Sequence, residues 1–284
     1  MLVLSTILLY SDNQDQKTDK IVITYIASEG FFIEVHNQKI LVDALFGRKE
    51  LDFCDVPPKE VLTKMEFAQK PFNNVDLITV SHNHVDHIHP DSVWQHLKNN
   101  PHGTFISTHQ SVKALNSLGP MDSSLKNRIK AITPDFFKKT DIEINDIKVT
   151  VMRLKHGEYF LVDEEGRRYN KHENVENLGF LFKIKGITFF HCGDACYLQP
   201  SDCREFKLEK ENIDVAFLHR AFMHKTDCPQ IDIIKRCIKP KHIILMHIHP
   251  REFDHYSKVA KALKNDFPSV TIFKKPMESK IFPN

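Results

Sequence analysis

The stretch that decides the reading is SHNHVDHIHP, residues 81–90, in which four histidines and an aspartate fall between His82 and His89. It follows VDLITVS, an apolar β-branched run that reads as a buried strand ending at Ser81. Side chains alternate with period two along extended backbone, so His82 and His84 share one side of the chain. A turn then brings Asp86 and His87 round to a neighbouring point. Two pairs of donors so close together suit two cations better than one. Imidazole nitrogen combined with carboxylate oxygen fits zinc, and also manganese or iron. Pro90 then opens a helix over DSVWQHLKNN, with Asp91 read as its N-cap.

The bulk of the chain is ordinary for a large globular fold. It has 284 residues, 41% hydrophobic and 27% charged, with a formal net charge of +2. So weak a positive balance argues against a nucleic-acid partner. A small-molecule substrate is the expected partner, and the oligomeric state is not readable. The six cysteines (54, 192, 196, 203, 228 and 237) form no C-x-x-C pair and read as small buried hydrophobes. The first ten residues, MLVLSTILLY, are apolar but too short to span a bilayer, and a polar spacer follows them. They read either as the remnant of an export signal or as an ordinary start, so both a cytoplasmic and an exported location stay open. No other stretch is long and apolar enough to cross a membrane. Residues 1–20 are therefore taken as a leader or spacer, and 21–284 as one domain.

From Ile21 the pattern becomes regular. IVITYIA, FFIEV and KILVDAL read as a strand meander, and PPKEVLTKMEF as a short helix. TFIST reads as a strand, with helices over HQSVKALNSLG and SSLKNRIKA. The second half begins with DIEIN and DIKVTVMRLKH, followed by EYFLVDEEGRRYNKHENVEN as a polar loop. LGFLFKIK, ITFFHCGDA, DVAFLHR, HIILMHI and SVTIFKK then read as strands. CPQIDIIKRCIK and REFDHYSKVAKALKNDF read as helices on either side of HIILMHI. Each half is β-rich and then alternates strand with helix. An α/β (α+β) fold built as a four-layer αββα sandwich is expected.

The H-x-H-x-D-H motif after a strand resembles that of the metallo-β-lactamase fold hydrolases, and further matches follow in the family's order. His156 ends the strand in VMRLKHG, Asp194 lies in FFHCGDA, and His247 ends IILMHIHP. The opening hairpin, with Asp43 at its strand end, is similar too, so the resemblance spans about residues 21–274. It implies that His82, His84 and His156 hold one metal, that Asp86, His87 and His247 hold the other, and that Asp194 bridges them. It also implies hydrolysis by a metal-bound hydroxide, with Asp86 and Asp194 as the catalytic acids that orient it and handle its proton.

Other polar residues are weaker candidates. His191, His219 and His224 are candidate substrate contacts, and Tyr159 and Tyr169 could line a pocket. His89 lies outside the motif. His249 competes with His247 for the last position, and Asp43 reads as a hydrogen-bond acceptor behind the ligands. Within the family, an aspartate at position 194, where penicillin-opening lactamases commonly place cysteine, disfavours antibiotic hydrolysis. There is no Gly/Pro-rich arm of the kind that trims transfer-RNA precursors, and His84 is not the glutamate of flavodiiron proteins. The pattern is most similar to the branch of ascorbate-6-phosphate lactonases and N-acyl phosphatidylethanolamine phospholipases D. That similarity implies a lactone or phosphodiester substrate. The alternative is a non-catalytic metal-binding sensor or scaffold on the same fold.

Overall fold

A computed structural model describes residues 20–283 of the chain. The apolar run at the N-terminus lies outside the described residues. The first half comprises β1 (Ile21–Ala27), β2 (Gly30–Val35), β3 (Gln38–Val42), α1 (Lys59–Glu66), β4 (Leu77–Thr79), α2 (Pro90–Asn99), β5 (Thr104–Ser107), α3 (His109–Asn116), α4 (Ser123–Asn127) and β6 (Ile129–Ala131). The second half opens with β7 (Lys139–Ile144), β8 (Ile147–Leu154), β9 (Phe160–Val162), β10 (Arg168–Asn170), β11 (Asn177–Ile184) and β12 (Ile187–His191). It continues through α5 (Pro200–Phe206), β13 (Val215–His219), α6 (Gln230–Ile233), β14 (His242–Met246), α7 (Phe253–Ala262), β15 (Val270–Ile272) and β16 (Ser279–Phe282).

Two seven-stranded sheets result, in the orders β16-β1-β2-β3-β4-β5-β6 and β15-β14-β13-β12-β11-β8-β7. In each, an antiparallel part passes into a parallel run, β3 to β6 in one and β12 to β15 in the other. The alternation of β2 shows how the layers form. Phe31, Ile33 and Val35 enter the core shared with the second sheet, whereas Phe32 enters the core beneath α1, α2 and α3. Strands buried on both faces read as nearly continuous apolar runs, as these do. Phe31 and Phe217 meet across the two sheets with ring centroids 4.7 Å apart. Such aromatic contacts add to area burial and fix how the sheets sit. The architecture is the expected four-layer αββα sandwich. Among the described residues no helix is long and apolar enough to cross a membrane.

Four local expectations need correction. The segment SSLKNRIKA is not one helix: α4 stops at Asn127, and Ile129–Ala131 pairs with β5 as an edge strand. Asp91 is not the N-cap of α2, since Pro90 takes the first helical position and His89 precedes it. The polar loop after His156 contains the hairpin β9–β10, with Tyr169 opposite Leu161. Its strands are only three residues long, and Phe160–Val162 runs apolar without alternation inside a polar stretch, so the strand signal is faint. The cysteines divide: Cys203 and Cys237 form a disulfide, and Cys54, Cys192 and Cys228 are buried free thiols.

One buried polar group outside the candidate site makes the fold sensitive to acid. His96, on α2, has its Nδ1 2.5 Å from the Met65 carbonyl and its Nε2 3.2 Å from Asn100 Nδ2. Burial pushes its pKa down to about 4 from an ordinary 6.5. The unfolded chain therefore binds a proton between those values that the folded chain refuses. Stability is present above the unfolded value and lost as pH falls toward the folded one. Between pH 7 and pH 5 this group alone should remove about 2 kcal/mol. Urea unfolding of chelator-treated protein at the two pH values, for wild type and His96→Gln, isolates the effect. The variant should lose less stability by about that amount, and an equal loss in both would rule the assignment out.

Candidate metal centre

The candidate residues come from the ends of β4, β8, β12 and β14, at one edge of the two sheets. Two close approaches hold these ends together. Gly193 has a left-handed φ of 53°, and a Cβ there would stand 2.6 Å from Asn177 Oδ1 and 2.8 Å from Ser81 Cβ. Only glycine lets the turn before Asp194 lie so near the start of the histidine motif. The Leu178 N–H also donates to the Ser81 carbonyl at 3.0 Å, and the Asp194 N–H to Asn177 Oδ1 at 3.0 Å. His247 adopts φ 60°, so the chain turns immediately after β14. That turn breaks the period-two equivalence with His249. His247 enters the cluster, whereas His249 accepts from the Arg251 N–H at 3.1 Å at the start of the next helical turn.

Hydrogen bonds behind the rings fix which nitrogens are bare. Asp43 accepts from the Ser81 N–H at 2.6 Å, the Ser81 hydroxyl at 2.7 Å and His87 Nδ1 at 3.0 Å. Because the Ser81 proton goes to Asp43, Ser81 Oγ accepts from His82 Nδ1 at 3.0 Å. His156 Nδ1 donates to the Gly157 carbonyl at 2.7 Å. His82, His87 and His156 therefore commit Nδ1 to hydrogen bonds behind the rings and turn their Nε2 atoms into one space. There His82 Nε2 stands 2.9 Å from His84 Nδ1 and 3.2 Å from His156 Nε2. Asp194 Oδ2 lies 3.4 Å from His156 and 3.6 Å from His247, while its Oδ1 lies 3.4 Å from His87. Asp86 Oδ2 is 3.4 Å from His247 Nε2.

These separations supply the test of fit. Donors about 2.0–2.1 Å from a tetrahedral ion stand about 3.3 Å apart, as many of these atoms do. His87 Nε2 and Asp194 Oδ1 are buried without a hydrogen-bond partner. Buried acceptors so aimed at one another are costly unless a cation or proton lies between them. The donor set fits cations. His82, His84, His156 and Asp194 could hold one, and Asp86, His87 and His247 another, with Glu29 joining the second group.

The electrostatics divide along the same line. Burial, reinforced by neighbouring imidazoles, pushes His84 down to about 4, and His82 is also pushed well down. On the other side burial opposes protonation, yet the carboxylates of Glu29 and Asp194 win and raise His247 to about 10. His87 is raised for the same reason, with Glu29 as its strongest partner. One group is thus rich in neutral imidazole, and the other is rich in carboxylate.

The remaining candidates scatter. His219 joins the cluster, with its ring 4.9 Å from that of His247, and it could share a cation with Asp194 and His247. His191 does not face a cleft. It is fully buried, accepts from the Gly193 N–H at 3.1 Å and so supports the Asp194 turn. His224 turns its ring to the Ala221 carbonyl at 3.1 Å. His89 stands beside Asp91, at 3.5 Å. Two neighbours of the cluster escape sequence reasoning. Glu29 lies in the tight β1–β2 turn, and an acid wedged between two buried strands was the available signal. His172, in the polar segment, packs against His156 and His84 with centroids 4.4 and 4.8 Å apart.

The chain belongs to the family defined by the β-lactamase superfamily domain, whose model matches residues 38–265. No curated protein sequence matches it. Among solved structures it is similar to Igni18, a metallo hydrolase of Ignicoccus hospitalis, with 17% identity, 93% of this chain and 99% of that chain covered, and a TM-score of 0.59. It is also similar to the metallo-β-lactamase fold protein YhfI of Bacillus subtilis, at 16% identity over 92% of this chain and 99% of that chain, TM-score 0.57. The diiron β-hydroxylase CmlA of Streptomyces venezuelae shares the fold at 10% identity, covering 94% of this chain and 54% of that chain, TM-score 0.55. Likeness at these identities speaks for the fold, and the chemistry has to be argued from the site.

The geometry gives Asp194 a position that no other residue shares, since its two oxygens face both groups of donors. Asp194→Ala should lose at least one of the cations that wild type binds and lower turnover ~10³-fold, the size of effect seen when one preorganised charge-stabilising group is lost. His89→Ala should keep the metal content of wild type and most of its activity. Metal content and rate measured side by side decide the matter, and a reversed order of damage would overturn the placement.

Proposed function

We propose that the protein is a binuclear metal-dependent hydrolase of a lactone or phosphodiester. The observation that carries this reading is the convergence of bare imidazole nitrogens and carboxylate oxygens about 3.3 Å apart, a spacing suited to ligands of a shared ion. His82, His84 and His156 would hold one cation, Asp86, His87 and His247 the other, and Asp194 would touch both. Zinc suits the imidazole-rich group, with manganese or iron as alternatives. When bound, such ions supply Lewis acidity and water activation near neutral pH. The chain's own groups do the rest. Asp86 and Asp194 orient the attacking water and take up its proton. Ser81 and Asp43 hold the rings of His82 and His87 in one tautomer. His219, beside His247, is placed to donate to a substrate oxygen.

The substrate's path is suggested by a cavity of about 710 Å³ that reaches His156 and His172. Its volume lies in the range of small-molecule sites. Phe136, Phe160 and Tyr169 give it aromatic walls, and Lys155 and Arg168 bring positive charge. The Arg168 guanidinium lies 4.0 Å from the Phe160 ring centroid, which holds it at the cavity wall. Lys155 is paired with Glu158 at 2.7 Å, and Glu173 and Asp202 also line the cavity, so it is the aromatic wall carrying Arg168 that suits a substrate joining an apolar group to an anionic one.

Metal-loaded protein should therefore hydrolyse bis-p-nitrophenyl phosphate or a simple lactone, lose that activity to a chelator and regain it on metal return. Arg168→Ala should raise KM for the anionic diester about 10-fold with kcat little changed, the pattern of lost uniform binding. A protein that holds two cations yet turns over neither class would instead be a sensor or scaffold.

A further inference from the structure

Glu29 sits in the turn between β1 and β2, and its side chain is fully buried. The turn is held rigidly. Ser28 adopts φ 49°, and its N–H donates to Asp55 Oδ1 at 2.9 Å. A Cβ at Gly30 would stand 2.9 Å from the Asp43 carbonyl, so this turn and the Asp43 turn pack backbone to backbone. The His247 N–H donates to the Ser28 carbonyl at 3.2 Å, which ties Glu29 to the last candidate ligand.

The carboxylate itself is poorly satisfied. Oε2 accepts from the Ser28 hydroxyl, and Oε1 is buried with no hydrogen-bond partner. Oε1 lies 3.2 Å from His87 Nε2, and Oε2 lies 3.8 Å from His247 Nε2. A residue that only oriented His87 from behind would contact Nδ1, but Asp43 already takes that atom. Glu29 faces the opposite nitrogen. At 3.2 Å in a buried space the two atoms must share either a proton or a cation, and the separation is also that of two ligands on one ion. The ligand atoms of Glu29, Asp86, His87 and His247 all lie within 4.8 Å of one another.

We propose that Glu29 is itself a ligand of the second cation, an eighth donor beyond the seven implied by the motif pattern. The second position then combines His87 and His247 with Asp86, Glu29 and a shared Asp194, whereas the first has three imidazoles and only Asp194. A carboxylate-rich position with more than four donors favours a harder cation such as manganese or ferrous iron, and the imidazole-rich one suits zinc. The pair of positions is chemically unequal, and Glu29 widens the difference that Asp86 begins. This inference rests on the proposed two-cation reading.

The test is manganese binding to chelator-treated full-length protein, followed by the electron paramagnetic resonance signal of free Mn(II) and by calorimetry. Wild type should take up two Mn(II) ions. Glu29→Gln, which keeps the shape and removes the charge, should keep one site and lose on the order of 100-fold in affinity at the other, at least the loss expected for residues that merely support a ligand. Glu29→Asp should fall between the two. Glu34→Gln, on β2 away from the cluster, should bind as wild type does. Thermal melts of the metal-free variants separate ligation from folding. Metal-free Glu29→Gln should still melt in one cooperative transition, because the amide keeps the shape and can still accept from the Ser28 hydroxyl. If wild type binds two ions and Glu29→Gln binds both unchanged, the Glu29 proposal is wrong and the two-cation reading stands. If wild type binds fewer than two Mn(II) ions and added zinc fills no second position either, the two-cation reading itself fails.

Discussion

The site depends on lone pairs that face one another where little water reaches. The bond from His87 Nδ1 to Asp43, at 3.0 Å, sets this up. It commits one nitrogen to a donor's role and turns the other, bare, toward Glu29 and Asp194. Ser81 does the same for His82, and the Gly157 carbonyl does it for His156. Isolated charges in such a space would be expensive, and imidazoles alone would leave it positive once cations enter. The carboxylates of Asp86, Asp194 and Glu29 offset that charge, and their placement makes the two halves unlike.

The fold exists to bring these donors together. They enter from turns at the ends of strands in both sheets, and none of those turns could hold a cation alone. Gly193 and Gly30 permit backbones to approach within ordinary contact, and left-handed residues at Asp43 and His247 redirect the chain just where a side chain must enter. The sheets themselves are locked by apolar packing, with Phe31 against Phe217 across the interface. A rigid two-sheet frame with variable loops at one edge suits many chemistries, which is why the same fold serves both hydrolases and the diiron hydroxylase CmlA.

Much of this was legible in the sequence because its signals are local. The histidine motif, the strand that feeds it and the strand-end residues His156, Asp194 and His247 are read from a few neighbouring positions. The four-layer arrangement follows from the order of apolar runs. What escaped depends on contacts between distant segments. Glu29 matters only because the β1–β2 turn closes on His247, more than 200 residues away. Cys203 and Cys237 pair across 34 residues, and spacing alone does not reveal that. Ile129–Ala131 follows a helical pattern and becomes a strand because the edge of β5 offers it hydrogen bonds. His247 was preferred to His249 because it closes the apolar run, and a left-handed angle at His247 is what separates the two in the fold. The hairpin β9–β10 escaped for a different reason, since its strands are only three residues long and lie largely exposed within a polar stretch.

In the proposed reading, one compact cluster holds two cations side by side with Asp194 between them. Anomalous X-ray diffraction from crystals of metal-reconstituted protein measures this most directly. Two peaks about 3.5–4 Å apart, the spacing of paired catalytic ions, are expected. One should lie among His82, His84 and His156, and the other among Asp86, His87 and His247. A single peak after full reconstitution, or two peaks with Asp194 outside the space between them, would contradict it.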